Sequence, residues 1–289
     1  MQTQDFAISL DLVNRHYQEP NRNRYESRYF WEQLYPLIAT AGFSAIEIPY
    51  EPVWQFGGRS GVPFNRYCVN TKYGDAAGYR AALAERGIAR VSGITFDPNL
   101  FMRNANLDFF FGASGHFAGE ALAHAAEMGA DYFAISPSPY YGRALHYHPD
   151  LEAQREAFTA RTVDLLAGLA AKAQDLGVAL VLRNEYWSLF RGEAILPLLA
   201  ALPDGVKLDV DTASLQIAGV APADEAQARR LCAAIFDRAL SPVSVALYPE
   251  LWSIANRYAE VAEALREVHA AGVTALLRSE EHTSELQSH

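Results

Sequence analysis

Two acidic residues, each at the end of a short apolar segment, are the strongest candidates for chemistry in this sequence. Glu185 follows Val178-Ala-Leu-Val-Leu-Arg-Asn, and Asp211 follows Val206-Lys-Leu-Asp-Val. Short apolar runs of this kind are typical of buried β-strands. Two neighbouring strands that each end in a carboxylate offer the hard oxygen ligands that divalent cations prefer. The pattern therefore predicts half of a metal site, with Glu185 and Asp211 as ligands.

The other charged residues of the same two segments allow a second interpretation. Alternate side chains of a strand share a face, so Arg183 is expected beside Glu185, and Lys207 and Asp209 beside Asp211. Charges on the inner face of a buried strand are costly unless they are paired or bound. Arg183 and Lys207 could therefore neutralise Asp209 and Asp211 in a buried layer of ion pairs, and such a layer can coexist with a metal site.

Length, charge and cysteine content narrow the class of protein. The 289 residues are 50% hydrophobic, which is enough for one large α/β domain or two small ones. The net charge of −10 argues against a nucleic-acid partner, because such binding needs a basic face. The two cysteines are far apart, the N-terminus lacks a signal-peptide pattern, and no apolar run reaches the ~18 residues of a membrane span. We therefore expect a cytoplasmic protein without membrane contact.

A pattern of helix, glycine and short apolar strand recurs along the chain, and glycine is typical of a helix C-terminus. Gly42, Gly87, Gly129 and Gly177 are 45, 42 and 48 residues apart, which favours parallel strands joined by helical crossovers. We count eight strands, beginning near residues 6, 45, 90, 132, 178, 206, 243 and 273, and predict an α/β fold, a (β/α)8 TIM barrel. The alternative is an open doubly wound sheet, which the lack of Gly-x-Gly-x-x-Gly after the first strand weakens.

Three loops that follow predicted strands are rich in aromatic, Asn and His residues, and they span residues 52–73, 97–115 and 136–149. Barrel enzymes build their sites from loops on this side of the strands, and these side chains suit a polar, ring-like ligand such as a sugar. The third loop offers His146 and His148 as candidate pocket residues, and Glu47 is expected to face the barrel interior. A subunit interface in a homo-oligomer explains the aromatic residues equally well.

The last twelve residues, 278–289, differ from the rest of the chain. They are polar, lack periodicity and resemble the translated sequence of a sequencing adapter. We therefore predict a single barrel domain over residues 1–277, truncated near Leu277 and without its last helix, followed by a non-native tail. Glu280, Glu281 and His282 within that tail are not considered as ligands.

Three short motifs, in this order, resemble one known family. They are Gly42-Phe-Ser-Ala-Ile-Glu47, Leu182-Arg-Asn-Glu185, and Asp211-Thr-Ala-Ser214 followed by Leu-Gln-Ile-Ala-Gly. Through them the chain up to Leu277 is similar to the xylose-isomerase-like barrel family of sugar isomerases and epimerases. The resemblance implies a divalent cation at the barrel mouth, held by a Glu after strand five, an Asp after strand six, a His after strand seven and a Glu after strand eight.

Glu185 and Asp211 match the first two of these ligands, and the chain departs from the pattern elsewhere. The seventh predicted strand ends in Tyr248-Pro-Glu250 without a His, and the fourth ligand would lie beyond Leu277. Ser214 stands where the family often has a His that contacts substrate. We therefore predict that Ser214 and Tyr248 contact substrate.

The leading hypothesis is a metal-dependent isomerase, epimerase or dehydratase that acts on a sugar or polyol through an enediolate. The cation, Mn, Mg or Co, would act as a Lewis acid, and Glu185 would be both a ligand and the catalytic base. The expected substrate-binding residues are Glu47, Ser214, Tyr248, His146 and His148. The alternative is a barrel that binds a sugar-like ligand, or supports a partner subunit, without catalysis.

Overall fold

The computed structural model describes residues 7–11, 28–52, 61–209, 211 and 214. All of them fall within one compact unit, Met1–Ala228. The centre of this unit is a six-stranded parallel sheet whose strands follow one another in chain order. The strands are β1 (Ala7–Ser9), β2 (Ala45–Pro49), β3 (Arg90–Phe96), β4 (Tyr132–Ile135), β5 (Ala179–Arg183) and β6 (Lys207–Asp209).

The strand order decides between the two architectures that the sequence allowed. In a doubly wound sheet the order reverses at a switch point, whereas here each new strand is added on the same side of the previous one. Because parallel crossovers are right-handed, this order places the connecting helices on one face of the sheet. The opposite face is covered when the sheet curls on itself, as it does in a (β/α)8 barrel.

The barrel prediction is thus confirmed for the part of the chain that the structure describes. Each of the first six strands begins within one residue of its predicted start. The strands predicted near residues 243 and 273, and the region of the last helix, lie outside the described residues. The division into one domain over residues 1–277 and a tail extends beyond them as well and stays a prediction.

Seven helices connect the described strands. They are α1 (Arg28–Thr40), α2 (Arg66–Tyr73), α3 (Ala76–Ala84), α4 (Leu107–Glu127), α5 (Tyr141–Tyr147), α6 (Arg155–Leu176) and α7 (Ile195–Ala200), with short 3-10 helices at Pro98–Phe101 and Gly192–Ala194. Three of them begin at a side chain that accepts a backbone N–H of the first turn: Asn65 before α2, Asp75 before α3 and Asn106 before α4. None of the described helices is both long and apolar enough to cross a membrane.

The predicted glycines end helices as the sequence pattern requires. Gly177 follows α6 with φ 69° and ψ 24°, in the left-handed region, and its N–H donates to carbonyls of the last helical turn. Positive φ values recur at Gly42, Gly87 and Gly129, each of which lies between a helix and the next strand. The repeated motif therefore encodes a repeated strand–helix unit.

The main hydrophobic core lies between the sheet and the helices. Ile46 and Ile48 of β2 are fully buried, and so are Trp31 of α1 and Tyr79 of α3. The side chains that alternate with Ile46 and Ile48 face the other way, toward the barrel interior. Glu47 is the charged member of that second set on β2, and it is only partly buried. The apolar outer face holds the helices, so the inner face is left for polar groups.

Candidate active site

Glu185 lies two residues beyond the end of β5 and is almost completely buried, with 6% of its surface exposed. The Ser136 hydroxyl donates a hydrogen bond of 2.6 Å to Glu185 Oε2. Ser136 directly follows β4, which pairs with β5 in parallel register up to Ile135 and Leu182. The pairing of two neighbouring strands therefore brings these two polar groups together at the carboxyl end of the sheet.

The environment of Glu185 raises its pKa from 4.5 to about 7. Burial is the main cause, because it penalises the charged form. The Arg183 guanidinium and the hydrogen bond from Ser136 act in the opposite direction, and the carboxylates of Asp97 and Asp11 add to the rise. A carboxyl group with this pKa exchanges protons readily at neutral pH, which is the property of a general acid–base catalyst.

Arg183 connects the acids of this region. Its Nε atom lies 3.4 Å from Glu185 Oε1 and 3.9 Å from Asp209 Oδ2. Burial alone would lower the pKa of Arg183, but the carboxylates of Glu185, Glu47, Asp209 and Asp11 outweigh burial and raise it. One guanidinium thus interacts with four carboxylates, and the excess of negative charge favours a bound cation or proton.

A second polar layer lies deeper in the same face. The Tyr132 hydroxyl donates a hydrogen bond of 2.7 Å to Glu47 Oε2, across the strand between them. That strand offers Gly93 at this level, in register with both Glu47 and Tyr132. A Cβ atom on Gly93 would overlap the Tyr132 ring, so the glycine makes room for the contact. This contact and the interaction with Arg183 place Glu47 on the inner face, as the sequence predicts.

Asp211 has different surroundings from Glu185. It is exposed, and its two carboxylate oxygens accept hydrogen bonds from Ser214, one from the backbone N–H at 3.2 Å and one from the hydroxyl at 2.7 Å. This arrangement is typical of a residue that caps a helix N-terminus. Ser214 itself is buried, with 4% exposure.

Glu185 and Asp211, the two predicted metal ligands, are each engaged with neighbouring protein groups. Among the described residues, no group of three or more His, Cys, Asp or Glu side chains is arranged to hold a metal ion. Glu185 faces Arg183 and Ser136, and Asp211 binds Ser214. The described side chains therefore do not by themselves form a divalent-cation site, and the ion pairs of the second interpretation are present at Arg183, while Lys207 is exposed.

The remaining predicted site residues lie in separate environments. His146 is exposed on α5, whereas His148 directly after that helix is buried, with 7% exposure. The two histidines do not share one surface, although they are only two positions apart. Tyr248 lies outside the described residues.

Sequence reasoning missed three contacts of this region: Ser136 on Glu185, Tyr132 on Glu47, and the Asp97 charge near Glu185. Ser136 and Asp97 each follow the last residue of an apolar strand, as Glu185 nearly does. Polar residues at that position of successive parallel strands meet at one edge, and this signal was available in the sequence.

Hydrogen bonds tie together the loops around Glu185. The Ser138 and Ser188 hydroxyls lie 2.9 Å apart, and the Tyr141 N–H donates to the Trp187 carbonyl at 2.9 Å. The Tyr140 N–H donates to the Asn99 side chain, which connects the loop after β3. The loops after β3, β4 and β5 therefore form one connected rim that holds Glu185 and Ser136 in place.

No model of a known protein family and no curated protein matches the chain. Among solved structures, it is similar to a protein from Anabaena variabilis described as a sugar phosphate isomerase/epimerase, with a TM-score of 0.50 and 16% identity over 76% of this chain and 67% of that one. Weaker matches are a protein from Rhodospirillum rubrum described as a xylose isomerase (TM-score 0.48, 15% identity, 71% and 65% covered) and a D-psicose 3-epimerase (0.44, 19%, 64% and 59%).

With a TM-score of 0.50, the first of these matches indicates a shared fold. The predicted resemblance to xylose-isomerase-like TIM barrels is therefore confirmed at the level of the fold. Each of the three matches spans about two thirds of the solved chain or less.

Proposed function

We propose that this protein is an isomerase, epimerase or dehydratase that moves a proton on a sugar or polyol, with Glu185 as the acid–base group. The observation that carries the proposal is the buried Glu185 carboxyl, whose pKa of about 7 suits proton transfer at neutral pH. Its place at the carboxyl end of β5 is where barrel enzymes build their sites. The fold shared with a protein described as a sugar phosphate isomerase/epimerase supports the substrate class.

The residues around Glu185 define its part in the reaction. Ser136 binds Oε2, so that Oε1 is the atom that takes a proton from the carbon beside a sugar carbonyl. Arg183 Nε, 3.4 Å from Oε1, stabilises the carboxylate before transfer and faces the negative charge of the enediolate after it. Return of the proton from Oε1 to the neighbouring carbon, with transfer of the hydroxyl proton from the oxygen that becomes the carbonyl to the old carbonyl oxygen, completes an isomerisation. In an epimerisation Oε1 keeps its proton, and a second acid delivers another proton to the opposite face of the same carbon.

A divalent cation, Mn, Mg or Co, remains part of the proposal as a prediction. When bound, it would supply Lewis acidity at the substrate oxygens. The described residues do not by themselves form its site, and the proton transfer by Glu185 does not depend on it. Glu185 and Asp211 are its proposed ligands within the described part, and Glu47, Ser214, Tyr248, His146 and His148 are the proposed substrate contacts.

The second candidate function is sugar binding without catalysis. The ion pair between Arg183 and Glu185 and the hydrogen bonds between Ser214 and Asp211 favour it, because both acids are already engaged within the protein. In that case Glu185 would orient Arg183 and would not move protons.

An isotope-exchange assay separates the two functions. The protein is incubated in D2O with a panel of ketohexoses and aldohexoses, with and without Mn²⁺, and deuterium incorporation next to the carbonyl is followed by NMR. We expect incorporation that Glu185→Gln slows by about 10²–10⁴-fold, since the amide cannot accept the proton. Glu193→Gln is the matched control, because Glu193 is an exposed glutamate on the same connecting segment.

Incorporation at close to the wild-type rate in Glu185→Gln would overturn the assigned role of Glu185. Binding of a sugar by calorimetry with no incorporation for any compound of the panel would favour the non-catalytic barrel.

A further inference from the structure

Asp97 directly follows β3, which is separated from β5 and Glu185 by one strand, β4. Its φ of −117° and ψ of 115° continue the extended conformation of β3 by one residue. Because side chains alternate along an extended chain, Asp97 shares the inner face with Gly93 and Thr95 of the same strand. The residue is also exposed, so its carboxylate is accessible to a ligand at the carboxyl end of the sheet.

Ser136, at the end of β4, connects Asp97 with Glu185. Its backbone N–H donates to the carbonyl of Phe96, the residue before Asp97, at 3.2 Å, and its hydroxyl donates to Glu185 Oε2 at 2.6 Å. After burial, which is the main cause, the charge of Asp97 contributes to the raised pKa of Glu185. Both carboxyl groups also interact with the Arg183 guanidinium. The two acids are therefore neighbours on either side of Ser136, and their mutual repulsion favours a proton on one of them.

Two hydrogen bonds from Asn99 hold the Asp97 side chain in place. The Asn99 backbone N–H donates to Asp97 Oδ1 at 2.8 Å, and the Asn99 side-chain amide donates to Oδ2 at 2.9 Å. The Asn99 side chain in turn accepts from the Tyr140 N–H, which ties the loop after β3 to the loop after β4. A carboxylate offers about four lone-pair sites, so the Asp97 oxygens retain capacity for a proton that comes from or goes to a substrate.

The separation of β3 and β5 suits two acids that act on opposite faces of one carbon. Neighbouring strands lie about 4.8 Å apart, so the backbones of β3 and β5 are about 10 Å apart, and side chains on the inner face shorten this distance. Two carboxylate oxygens that approach one carbon from opposite sides, each to about 3–3.5 Å, are about 6–7 Å apart. Of the other acids near Glu185, Glu47 lies in the deeper layer bound by Tyr132, and Asp209 is on the adjacent strand.

We propose, on the basis of the proposed function of Glu185, that Asp97 is the second acid–base group of the site and that the reaction is an epimerisation. Glu185 Oε1 removes the proton from one face of the carbon beside the carbonyl, and the electron pair of the broken C–H bond passes into the enediolate. The protonated Asp97 carboxyl then donates its proton to the opposite face, which forms a new C–H bond and restores the carbonyl. Solvent returns a proton to Asp97 and takes one from Glu185, so no other reactant is consumed.

The test compares proton removal with epimer formation in Asp97→Asn. The sugar is one whose deuterium incorporation in D2O is slowed by Glu185→Gln, so that Glu185 is the group that removes its proton. NMR measures deuterium in the recovered sugar and the amount of its epimer. We expect Asp97→Asn to incorporate deuterium at close to the wild-type rate but to form the epimer about 10²–10⁴-fold more slowly, the usual contribution of an acid–base group. The retained incorporation would also show that the variant is folded.

Asp75→Asn is the matched control. Asp75 is an exposed aspartate that accepts the Gly78 N–H at 2.7 Å at the start of α3, as Asp97 accepts the Asn99 N–H in its own loop. The same substitution at this position removes a charge and leaves an oxygen that can accept the bond. Both incorporation and epimer formation should therefore match those of the wild type.

The possible results separate this inference from the proposed function. Epimer formation at the wild-type rate in Asp97→Asn would overturn the role of Asp97 and leave that of Glu185 intact. An equal loss of incorporation and epimer formation would also overturn it, because Asp97 would then bind substrate or a cation. Incorporation without any epimer in the wild type would rule out epimerisation alone, whereas a wild type that incorporates no deuterium would overturn the proposed function and this inference with it.

Discussion

Glu185 and Asp211 follow neighbouring parallel strands, yet their surroundings give them different chemistry. Glu185 is 6% exposed, receives a hydrogen bond from Ser136 and has its pKa raised to about 7, mainly by burial. Asp211 is exposed and binds Ser214 through both carboxylate oxygens, in the manner of a helix cap. Two acids at equivalent strand ends can therefore have different surroundings, and burial is the main cause of the raised pKa of Glu185.

The largest expected difference between the two acids concerns activity. Glu185→Gln should lower the rate of deuterium incorporation into substrate by about 10²–10⁴-fold, the usual contribution of a general acid–base group. Asp211→Asn retains an oxygen that can accept from Ser214 and should have a much smaller effect if Asp211 is only a cap. A loss of the same size in both variants would contradict the cap as the sole role of Asp211 and would support the proposal that the two acids share a cation.

The pH dependence of stability is the next largest effect. The pKa of Glu185 is raised to about 7 in the folded protein from 4.5, so the folded state holds the proton more tightly than the unfolded state. This contribution is complete below pH 4.5 and is lost as the pH rises through about 7. Between pH 4 and pH 8, we expect the free energy of unfolding of Glu185→Gln to rise by about 3 kcal/mol relative to that of the wild type.

Urea unfolding of both proteins across this pH range measures the gain. If the difference in free energy of unfolding between the two proteins stays constant across this pH range, the carboxyl group has the same pKa in the folded and unfolded states.

A substitution at Gly93 tests the hydrogen bond from Tyr132 to Glu47 in the polar layer beneath Glu185. In Gly93→Ala the new methyl group would overlap the Tyr132 ring, and relief of such a clash costs about 1–3 kcal/mol. The expected result is a lower free energy of unfolding, together with loss of the hydrogen bond from Tyr132 to Glu47. Gly168→Ala is the control, because Gly168 has open space around its Cβ position on α6, and alanine should raise stability there by about 0.5–1 kcal/mol. Equal stabilities of the two variants would contradict the described contact.

The smallest effect is expected at the cap of Asp211. Ser214→Ala removes one of the two hydrogen bonds that Ser214 makes to Asp211 and should lower the free energy of unfolding by about 1 kcal/mol, the usual value for a helix cap. The activity of this variant should change little if Ser214 acts only on Asp211. A large rise in KM would support the proposed contact of Ser214 with substrate, whereas an unchanged KM would contradict that contact.

The sequence was sufficient to predict the fold, because the fold is repeated locally. The starts of β2 to β5 each follow a glycine such as Gly177, which ends a helix, and the repeat length indicates parallel crossovers. The sequence also placed Glu185 at a strand end and Glu47 on the inner face. These predictions depend on the period of a strand and need no knowledge of distant contacts.

The environment of each acid could not be predicted in the same way. The bond from Ser136 to Glu185 joins residues 49 positions apart, and the bond from Tyr132 to Glu47 joins residues 85 apart. Such pairs depend on the register of neighbouring strands. The exposure of His146 and the burial of His148 depend likewise on how α5 ends, which the sequence pattern does not specify.

The titration of the Glu185 carboxyl group is the most direct test of this account. It is followed by ¹³C NMR, with the Glu185 signal identified by its absence from the spectrum of Glu185→Gln. The structure predicts a pKa of about 7 for this carboxyl group. A pKa close to 4.5, the ordinary value for a glutamate, would contradict both the buried environment of Glu185 and its proposed role in proton transfer.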